Sequence, residues 1–407
     1  MTACLEIRQQ LAGLSAKDAR YAMDFVDRLL AAARNAKASD VHLQPTGEGL
    51  DVRWRLDGVL QQVGVFPKGD AADVVSRLKV LAQLLTYHTD RPQEGRIREM
   101  LGEIEMRVST FPTLHGERAV IRLFASQQRF QYLEDLQLPS EIDATLRRLL
   151  CETAGVLIIS GPAGSGKTTT AYACLRELVR TSAGGKSVVS LEDPIEVAVE
   201  GVAQSQVNAQ AGFDLAAGLR SLMRQDPEAI LVGEIRDREA AETVFQAALT
   251  GHVVLTTFHA GSAATAISRL IDMGIEPYLL RSGTLAILNQ RLVRRLCSCA
   301  RPLDQADQLL GLPPHGARQA VGCDACHQTG YVGRFVLAEL LVTDQSDLGR
   351  AILSRSEASQ LERLAIQNGM VPAWQQALDA VRDGLTSPGE FRRVFGFAVG
   401  RDGGNDE

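Results

Sequence analysis

The sequence predicts an α/β protein with two parts, an α+β unit with an antiparallel sheet and a larger unit with a mostly parallel sheet. Three observations predict this fold class. Short runs of alternating apolar and polar residues fill the first third, and strand-like and helix-like segments alternate in the remainder. Between two such segments lies the string G-x-x-x-x-G-K-T at residues 161–168. A chain of 407 residues is long enough for two or three domains.

The first third begins with a helical pattern at about 17–36, whose apolar face holds Phe25, Val26, Leu29, Leu30 and Ala33. Extended segments are predicted next at 38–45, 51–57 and 59–65, with a turn at Asp57-Gly58. A second helix is predicted at 73–85, followed by strands at 104–109 and 118–124. The polar stretch at 126–131 and the segment 133–139 are interpreted as a linker.

The second part alternates strands and helices, and its strands are predicted at 156–160, 187–191, 229–232 and 253–257. A cysteine-rich region begins after residue 290, and two or three amphipathic helices are predicted from about residue 347. The tail at 399–407 is rich in glycine and acidic residues, so we expect it to be disordered.

The composition restricts the class of protein. Hydrophobic residues make up 45% and charged residues 23%, as in an ordinary globular chain, and the net charge of −6 gives no sign of direct nucleic-acid binding. The sequence has no apolar run of the ~20 residues that span a bilayer and no signal-peptide core at its start. We therefore expect a cytoplasmic protein.

The glycine-rich string predicts a phosphate-binding loop, because an apolar β-branched run precedes it and a helical pattern follows it. Backbone N–H groups of such a loop surround phosphate oxygens at a helix N-terminus. Lys167 would reach the β- and γ-phosphates, and the Thr168 hydroxyl would bind Mg²⁺, so the expected ligands are ATP and Mg²⁺. The candidate nucleotide-binding residues are Gly161, Pro162, Ala163, Gly164, Ser165, Gly166, Lys167, Thr168 and Thr169.

Acidic residues follow two predicted strands of the same part. Glu192 and Asp193 come after the second strand, and Glu234 ends the third. Acids at strand ends lie on the ligand side of such sheets. We expect Glu234 to orient the attacking water, and Glu192 and Asp193 to support magnesium and its waters. Solvated loop acids are the alternative.

Two histidines bracket the fourth predicted strand of this part, His252 before it and His259 after it. A histidine at a strand end is commonly structural. The functional interpretation is that the pair senses the γ-phosphate or the neighbouring subunit.

Four of the seven cysteines lie close together in the sequence: Cys297, Cys299, Cys323 and Cys326. In a cytosolic protein such clustering indicates a metal site rather than disulfides. Four thiolates suffice for a tetrahedral zinc site, although the first pair has C-x-C spacing instead of C-x-x-C. Reduced thiols on a loop, or a site completed by His327, are the alternatives.

Together these segments resemble the type II secretion and type IV pilus assembly ATPases, the GspE/PulE/PilB family. The resemblance runs from about residue 38 to 397. Each motif is weak to moderately specific, but they follow one another in the family's order, at 38–45, 91–96, 107–112, 116–118, 191–196, 222–237, 250–260 and 290–294.

The resemblance implies a PAS-like N-terminal domain at 38–130, a linker at 131–139 and a RecA-like ATPase domain at 140–398. The last would include a cysteine-rich subdomain at 297–334, and residues 1–37 would form a short helical segment. It also implies a homohexameric motor at the cytoplasmic face of the inner membrane, acting on a GspF/PilC-like platform protein. Many members carry a further N-terminal module, and we expect it to be absent or reduced to one helix here.

Family sites lie between neighbouring subunits, where arginines extend toward the phosphates. By position, Arg96 and Arg107 are the first choices, and Arg224 and Arg291 are weaker ones. Surface or interface ion pairs are the alternative for each arginine. The family's secretion and extension branch often binds zinc through two C-x-x-C pairs, which favours zinc at the four cysteines.

Two other functions stay open at this point. One is a DNA-uptake or DNA-translocation motor, against which the acidic net charge argues. The other is a nucleotide-bound scaffold or regulator with little turnover, against which Lys167, Thr168 and Glu234 argue.

Overall fold

The computed structural model describes residues 3–69, 73–97, 106–123, 130–303, 309–312, 316–343 and 347–397. The predicted tail at 399–407 lies outside these residues, as do parts of the predicted segments at 104–109, 118–124 and 126–131. Contacts divide the chain into two compact units, of which the first comprises the residues up to Gln128 together with Leu296–Arg301 and Gln319–Gly333.

Among its described residues, the first unit contains three α-helices and a six-stranded sheet. The helices are Ala3–Ala12 (α1), Tyr21–Asn35 (α2) and Val74–Leu81 (α3). The strands are Asp40–Pro45 (β1), Leu50–Leu56 (β2), Val59–Phe66 (β3), Gln93–Ile97 (β4), Met106–Thr113 (β5) and Gly116–Leu123 (β6).

This sheet has the order β3-β2-β1-β6-β5-β4, and every adjacent pair is antiparallel. The predicted apolar face of α2 is buried in full, and it packs in one core with Val41, Leu43 and Trp54 of the sheet. The predicted antiparallel α+β unit is therefore confirmed.

The second unit contains a seven-stranded sheet with the order β15-β12-β7-β11-β10-β8-β9. Five adjacent pairs in this order are parallel, as predicted: β12–β7, β7–β11, β11–β10, β10–β8 and β8–β9. The strands are Gly155–Ser160 (β7), Val188–Glu192 (β8), Ala203–Gln206 (β9), Ala229–Glu234 (β10), Val253–Phe258 (β11), Thr284–Leu296 (β12) and Tyr331–Val342 (β15). Two further short strands are Arg301–Pro302 (β13) and Arg318–Gln319 (β14).

Helices connect these strands and extend beyond them. They are Ser140–Leu149 (α4), Lys167–Ser182 (α5), Leu215–Leu222 (α6), Arg238–Leu249 (α7), Ala263–Asp272 (α8), Pro277–Gly283 (α9), Asp347–Leu353 (α10), Ala358–Gln367 (α11), Ala373–Arg382 (α12) and Pro388–Phe395 (α13). All six residues of β7 and of β11 are buried, because helices cover both faces of a parallel sheet. The carboxyl ends of β7, β8, β10 and β11 share one edge of the sheet.

The segments that carry the four cysteines belong to the first unit by their contacts. In the sequence, however, they lie between stretches of the second unit. The Gly333 N–H, for example, donates to the Asp57 carboxylate at the β2–β3 turn over 3.1 Å. The sequence-based boundaries, which assign residues 297–334 to the ATPase domain, stay a prediction.

Candidate nucleotide site

The loop at 161–166 joins the end of β7 to the start of α5, which is the strand–loop–helix arrangement that the sequence predicts. Gly161 adopts φ 147°, and a Cβ atom there would lie 2.4 Å from the carbonyl oxygen of Gln290. Gln290 also donates from Nε2 to the Ser165 carbonyl over 2.7 Å. The loop is thus held closely against β12, and at residue 161 only glycine fits.

Lys167 begins α5, and its side chain turns back into the loop. Its Nζ donates to the carbonyl oxygens of Gly161 and Pro162 over 3.0 and 3.1 Å, and lies 3.4 Å from His259 Nδ1. Burial lowers the pKa of Lys167, and the negative charge of Glu234 opposes that shift. The ammonium group is therefore placed at the centre of the loop, where anionic oxygens would stabilise its charged form.

Glu234 is the last residue of β10, and its two carboxylate oxygens have different partners. His259 Nε2 lies 2.8 Å from Oε1, and Arg236 Nε donates to Oε2 over 2.8 Å. Arg236 also reaches the exposed carboxylate of Asp193 over 3.4 Å. An imidazole protonated on Nε2 satisfies both contacts of His259, since it then donates to Glu234 and accepts from Lys167.

Glu192 is the last residue of β8, and its carboxylate is buried rather than exposed to water. Its Oε2 accepts from the Tyr172 hydroxyl over 2.5 Å, and its Oε1 accepts from Ser190 over 2.6 Å and Gln204 over 3.1 Å. Burial, and then the hydrogen bond to Glu192, raise the pKa of Tyr172. The structure therefore surrounds Glu192 with protein donors, and Asp193 is the acid of this pair that solvent reaches.

The two histidines lie at opposite ends of β11. His259 follows the end of the strand that is adjacent to the phosphate loop, whereas His252 precedes the other end. The ring of His252 lies 2.9 Å from the Ala247 carbonyl and 3.2 Å from the Thr250 hydroxyl at the end of α7. The structure brings His259 to the phosphate loop and does not bring His252 there.

The candidate arginines are on different elements. Arg96 and Arg107 are register partners on β4 and β5 of the first unit. Arg224 donates to the Arg220 carbonyl over 2.9 Å, and Arg291 donates to two backbone carbonyls, those of Gly261 and Val394. Neither Arg224 nor Arg291 directs those contacts toward the phosphate loop.

Sequence reasoning missed three side chains of this site. Arg236 bridges Glu234 and Asp193, Tyr172 donates to Glu192, and Gln290 supports the loop. Arg236 lies two residues after Glu234, so its spacing was a usable signal. Tyr172 and Gln290 are distant in sequence from their partners, and only the fold brings them together.

The four cysteines predicted as a zinc site come together in space, with all four Sγ atoms within 4.8 Å of one another. The Sγ separations are 3.7 Å for Cys297–Cys323, 3.9 Å for Cys299–Cys326 and 3.7 Å for Cys323–Cys326. Tetrahedral Zn–S bonds of about 2.3 Å require thiolates about 3.8 Å apart, so these residues fit zinc.

Backbone donors at one of the four sulfurs favour its thiolate. The N–H groups of Cys323 and Gly330 donate to Cys326 Sγ over 3.1 and 3.2 Å. Burial opposes ionisation of Cys326, but these donors and the neighbouring thiols outweigh it and lower the pKa of Cys326 to about 7, whereas burial raises the pKa of Cys299 to about 11. The short Sγ separations, rather than the pKa shifts, show that the C-x-C spacing does not prevent Cys297 and Cys299 from joining the other pair.

Comparison with known proteins finds a family model and several relatives that are similar to this chain over most of its length. A family model described as "Type II/IV secretion system protein" matches residues 15–394. "Type II secretion system protein E" of Pseudomonas aeruginosa is 45% identical over 91% of this chain and 74% of its own length. "Type IV pilus assembly ATPase PilB" of Thermus thermophilus is 37% identical over 91% of this chain and 42% of its own length.

A solved structure shares the fold at lower identity. The ATPase DotB of Legionella pneumophila superposes with a TM-score of 0.66 at 22% identity, covering 91% of this chain and 95% of its own. Within the part of the chain that the structure describes, no helix has the length and apolar character needed to cross a membrane.

Proposed function

Because the chain belongs to the Type II/IV secretion system protein family, we propose that it works as a hexameric ring motor that drives assembly of a pilus or pseudopilus, or type II secretion. It is an ATPase of the secretion and pilus assembly class, as the family and the relatives indicate. One observation carries the assignment. The phosphate loop, Glu234 and His259 meet at one edge of a parallel sheet.

Within this site, the protein binds and positions the phosphates of ATP. Lys167 exchanges its contacts with the loop carbonyls for contacts with the β- and γ-phosphates, and the loop N–H groups supply the remaining donors. Thr168 would hold Mg²⁺, which neutralises phosphate charge when bound, and Asp193 is the exposed acid that would support its waters.

Glu234 orients the attacking water, and His259 holds Glu234 in place. The carboxylate already has a partner on each oxygen, so it is oriented before substrate binds. When the attacking water binds the Glu234 carboxylate, the hydrogen bond from Arg236 to Oε2 must weaken or shift. Glu192 acts through its position, because its oxygens are satisfied by Tyr172, Ser190 and Gln204.

Arg96 and Arg107 complete the site from a neighbouring subunit. Their register places them directly opposite each other, so their side chains leave the same face of the sheet. Two neighbouring cations would stabilise the negative charge that develops on the phosphoryl group during its transfer.

The four cysteines hold a structural zinc ion, and the Sγ separations of 3.7–3.9 Å support this assignment. The divisions at 38–130 and 140–398, with the linker between them, stay a proposal, which the contact boundary near residue 128 supports at the end of the first domain. Force generated by hydrolysis acts on an inner-membrane platform protein, so the motor would associate with the membrane through partners.

The decisive experiment is ATP hydrolysis by the purified protein, resolved by oligomer size, for wild type, Lys167→Ala and the control Lys186→Ala, which lies in the connection between α5 and β8. We expect turnover in the hexamer that Lys167→Ala removes and Lys186→Ala preserves. Equal activity per chain in monomer and hexamer would contradict a site shared between subunits. Tight ATP binding without turnover in any fraction would favour a nucleotide-bound scaffold.

A further inference from the structure

The turn at residues 259–262, between β11 and α8, has three consecutive carbonyl groups that accept side-chain hydrogen bonds, those of His259, Ala260 and Gly261. The His259 carbonyl accepts from Arg269 of α8, and the Ala260 carbonyl accepts from Asn289 of β12 over 3.2 Å. Asn289 is itself buried and also bonds Ser160, the last residue before the phosphate loop. The turn that carries His259 is therefore fixed to the strand beside the loop.

Arg291 extends this attachment to the last helix. One guanidinium nitrogen donates to the Gly261 carbonyl over 2.8 Å, and another donates to the Val394 carbonyl in α13 over 2.9 Å. Burial lowers the pKa of Arg291. A half-buried guanidinium that donates to backbone carbonyls of two segments bridges them and holds them at a fixed separation.

Glu339 of β15 makes a second bridge. One of its carboxylate oxygens accepts the N–H of Ala263, the first residue of α8, over 2.7 Å. The other accepts the N–H of Ala373, the first residue of α12, over 2.9 Å. The first N–H groups of a helix have no partner within that helix. The buried Glu339 carboxylate accepts one such N–H from each of two helices.

These contacts form a continuous route from the phosphate loop to the C-terminal helices. Lys167 and Glu234 contact the ring of His259. Arg291 holds the turn that carries this ring, and Glu339 holds Ala263 directly after that turn. The same two side chains also hold α13 and α12. Burying a carboxylate costs free energy unless hydrogen-bond donors compensate for the lost water. The two oxygens of Glu339 accept such hydrogen bonds from separate helices, α8 and α12.

We propose that Glu339 and Arg291 are positioning residues for hydrolysis, which fix the 259–262 turn so that His259 keeps Glu234 oriented. The proposal rests on the proposed function, since it concerns the same site. It predicts that loosening either bridge slows turnover without weakening the binding of nucleotide, because the phosphate loop itself is untouched.

The test compares Glu339→Gln with wild type in the assembled protein. Glutamine keeps the size but faces one helix N–H with an NH₂ group. We expect kcat to fall by about tenfold or more, since small misplacements of reacting groups are costly. We expect the Kd for ATP to stay within about twofold, the pattern of an interaction used in the transition state. An unchanged kcat would overturn the proposal.

A double-mutant cycle with His259→Ala separates positioning from general destabilisation. If Glu339 acts through His259, adding Glu339→Gln to His259→Ala lowers kcat little further. If Glu339→Gln lowers kcat by the same factor in both backgrounds, its effect does not pass through His259 and the proposal is wrong. The ¹⁵N shifts of the His259 ring should also change in Glu339→Gln.

Arg291→Lys provides a second variant in case Glu339→Gln does not fold. Lysine keeps the charge but lacks the fork that spans two carbonyls, so we expect the same loss of kcat with ATP binding retained. Arg295→Lys is the matched control, because Arg295 lies on the same strand and stacks on an aromatic ring, that of Phe335, as Arg291 stacks on Phe395. Wild-type protein without turnover would count against the proposed function, whereas active wild type with active Arg291→Lys would refute the positioning role alone.

Discussion

Glu234 has a specific partner on each carboxylate oxygen, and this arrangement decides how a substitution there should behave. We expect Glu234→Gln to lower kcat by roughly 10²–10⁴-fold, the usual contribution of a positioned acid or base. ATP binding should persist, because Lys167 and the loop are unchanged.

The measurement is single-turnover hydrolysis together with nucleotide binding. Glu239→Gln is the matched control, since Glu239 lies nearby on α7 and pairs with Arg220 at the surface. If both substitutions have the same effect on turnover, Glu234 has no special role.

A substitution at Tyr172 tests how much its hydrogen bond to the buried Glu192 carboxylate contributes to stability. Tyr172→Phe removes the hydroxyl that donates to Glu192 and accepts the N–H of Glu196, so a buried carboxylate loses a donor. We expect a loss of about 1–3 kcal/mol in the free energy of unfolding, measured with urea. Tyr278→Phe, at an exposed site, should change it little. Equal stability of both variants would contradict the role of this hydrogen bond.

The candidate residues that follow strands were predictable, because the parallel sheet brings strand ends to one edge. Glu234 and His259 meet there as expected. His252 was placed in the same group because it flanks the same strand, yet the two ends of a six-residue strand are about 20 Å apart. Two of the three protein donors around Glu192, Gln204 and Tyr172, come from β9 and α5, and sequence spacing carries no signal for them.

The phosphate loop, as an element, depends on backbone conformation at one position. Gly161→Ala would place a methyl group 2.4 Å from the Gln290 carbonyl, so loop or strand must shift. We expect ATP binding to be lost or strongly weakened, as measured by calorimetry.

Gly184→Ala is the control for Gly161→Ala. Gly184 also has a positive φ of 79°, but no atom lies within 4 Å of a Cβ placed there. It should cost only backbone strain, about 1–2 kcal/mol, with ATP binding retained. Retained ATP affinity in Gly161→Ala would show that the loop tolerates the shift.

Long amphipathic elements were predictable and short irregular ones were not. The apolar face of α2 repeats over four turns and is buried as expected. Strand β4 is five residues long, contains Gly95 and three polar side chains, and lies at the sheet edge. Its strand conformation comes from pairing with β5 rather than from a periodic pattern.

At the scale of the whole molecule, the four cysteines tie together segments far apart in the chain. Cys299→Ser should abolish binding of one zinc ion per chain and lower the Tm, because metal binding and folding are coupled. Zinc content by mass spectrometry and thermal unfolding check this. The exposed Cys151 gives the control Cys151→Ser, which should retain zinc. Full zinc content in Cys299→Ser would exclude this ligand.

The proposed site between subunits makes a prediction about mixed rings. Lys167→Ala and Arg107→Ala should each be inactive alone, yet mixing them before assembly should restore part of the activity. In a mixed ring, some interfaces combine an intact Lys167 with an intact Arg107 from the neighbour. Absence of recovery, with mixed hexamers verified by mass spectrometry, would argue that Arg107 does not act across subunits.

The contact pattern of the first unit also has a consequence for synthesis of the protein. The unit includes segments that end at Gly333, roughly 200 residues after Gln128. At about 5–20 residues per second, a ribosome delivers them some 10–40 s later. By then the strands from β7 to β12 have been made. The N-terminal unit therefore emerges first but is completed late, and a nascent chain must carry it unfinished while the ATPase sheet forms.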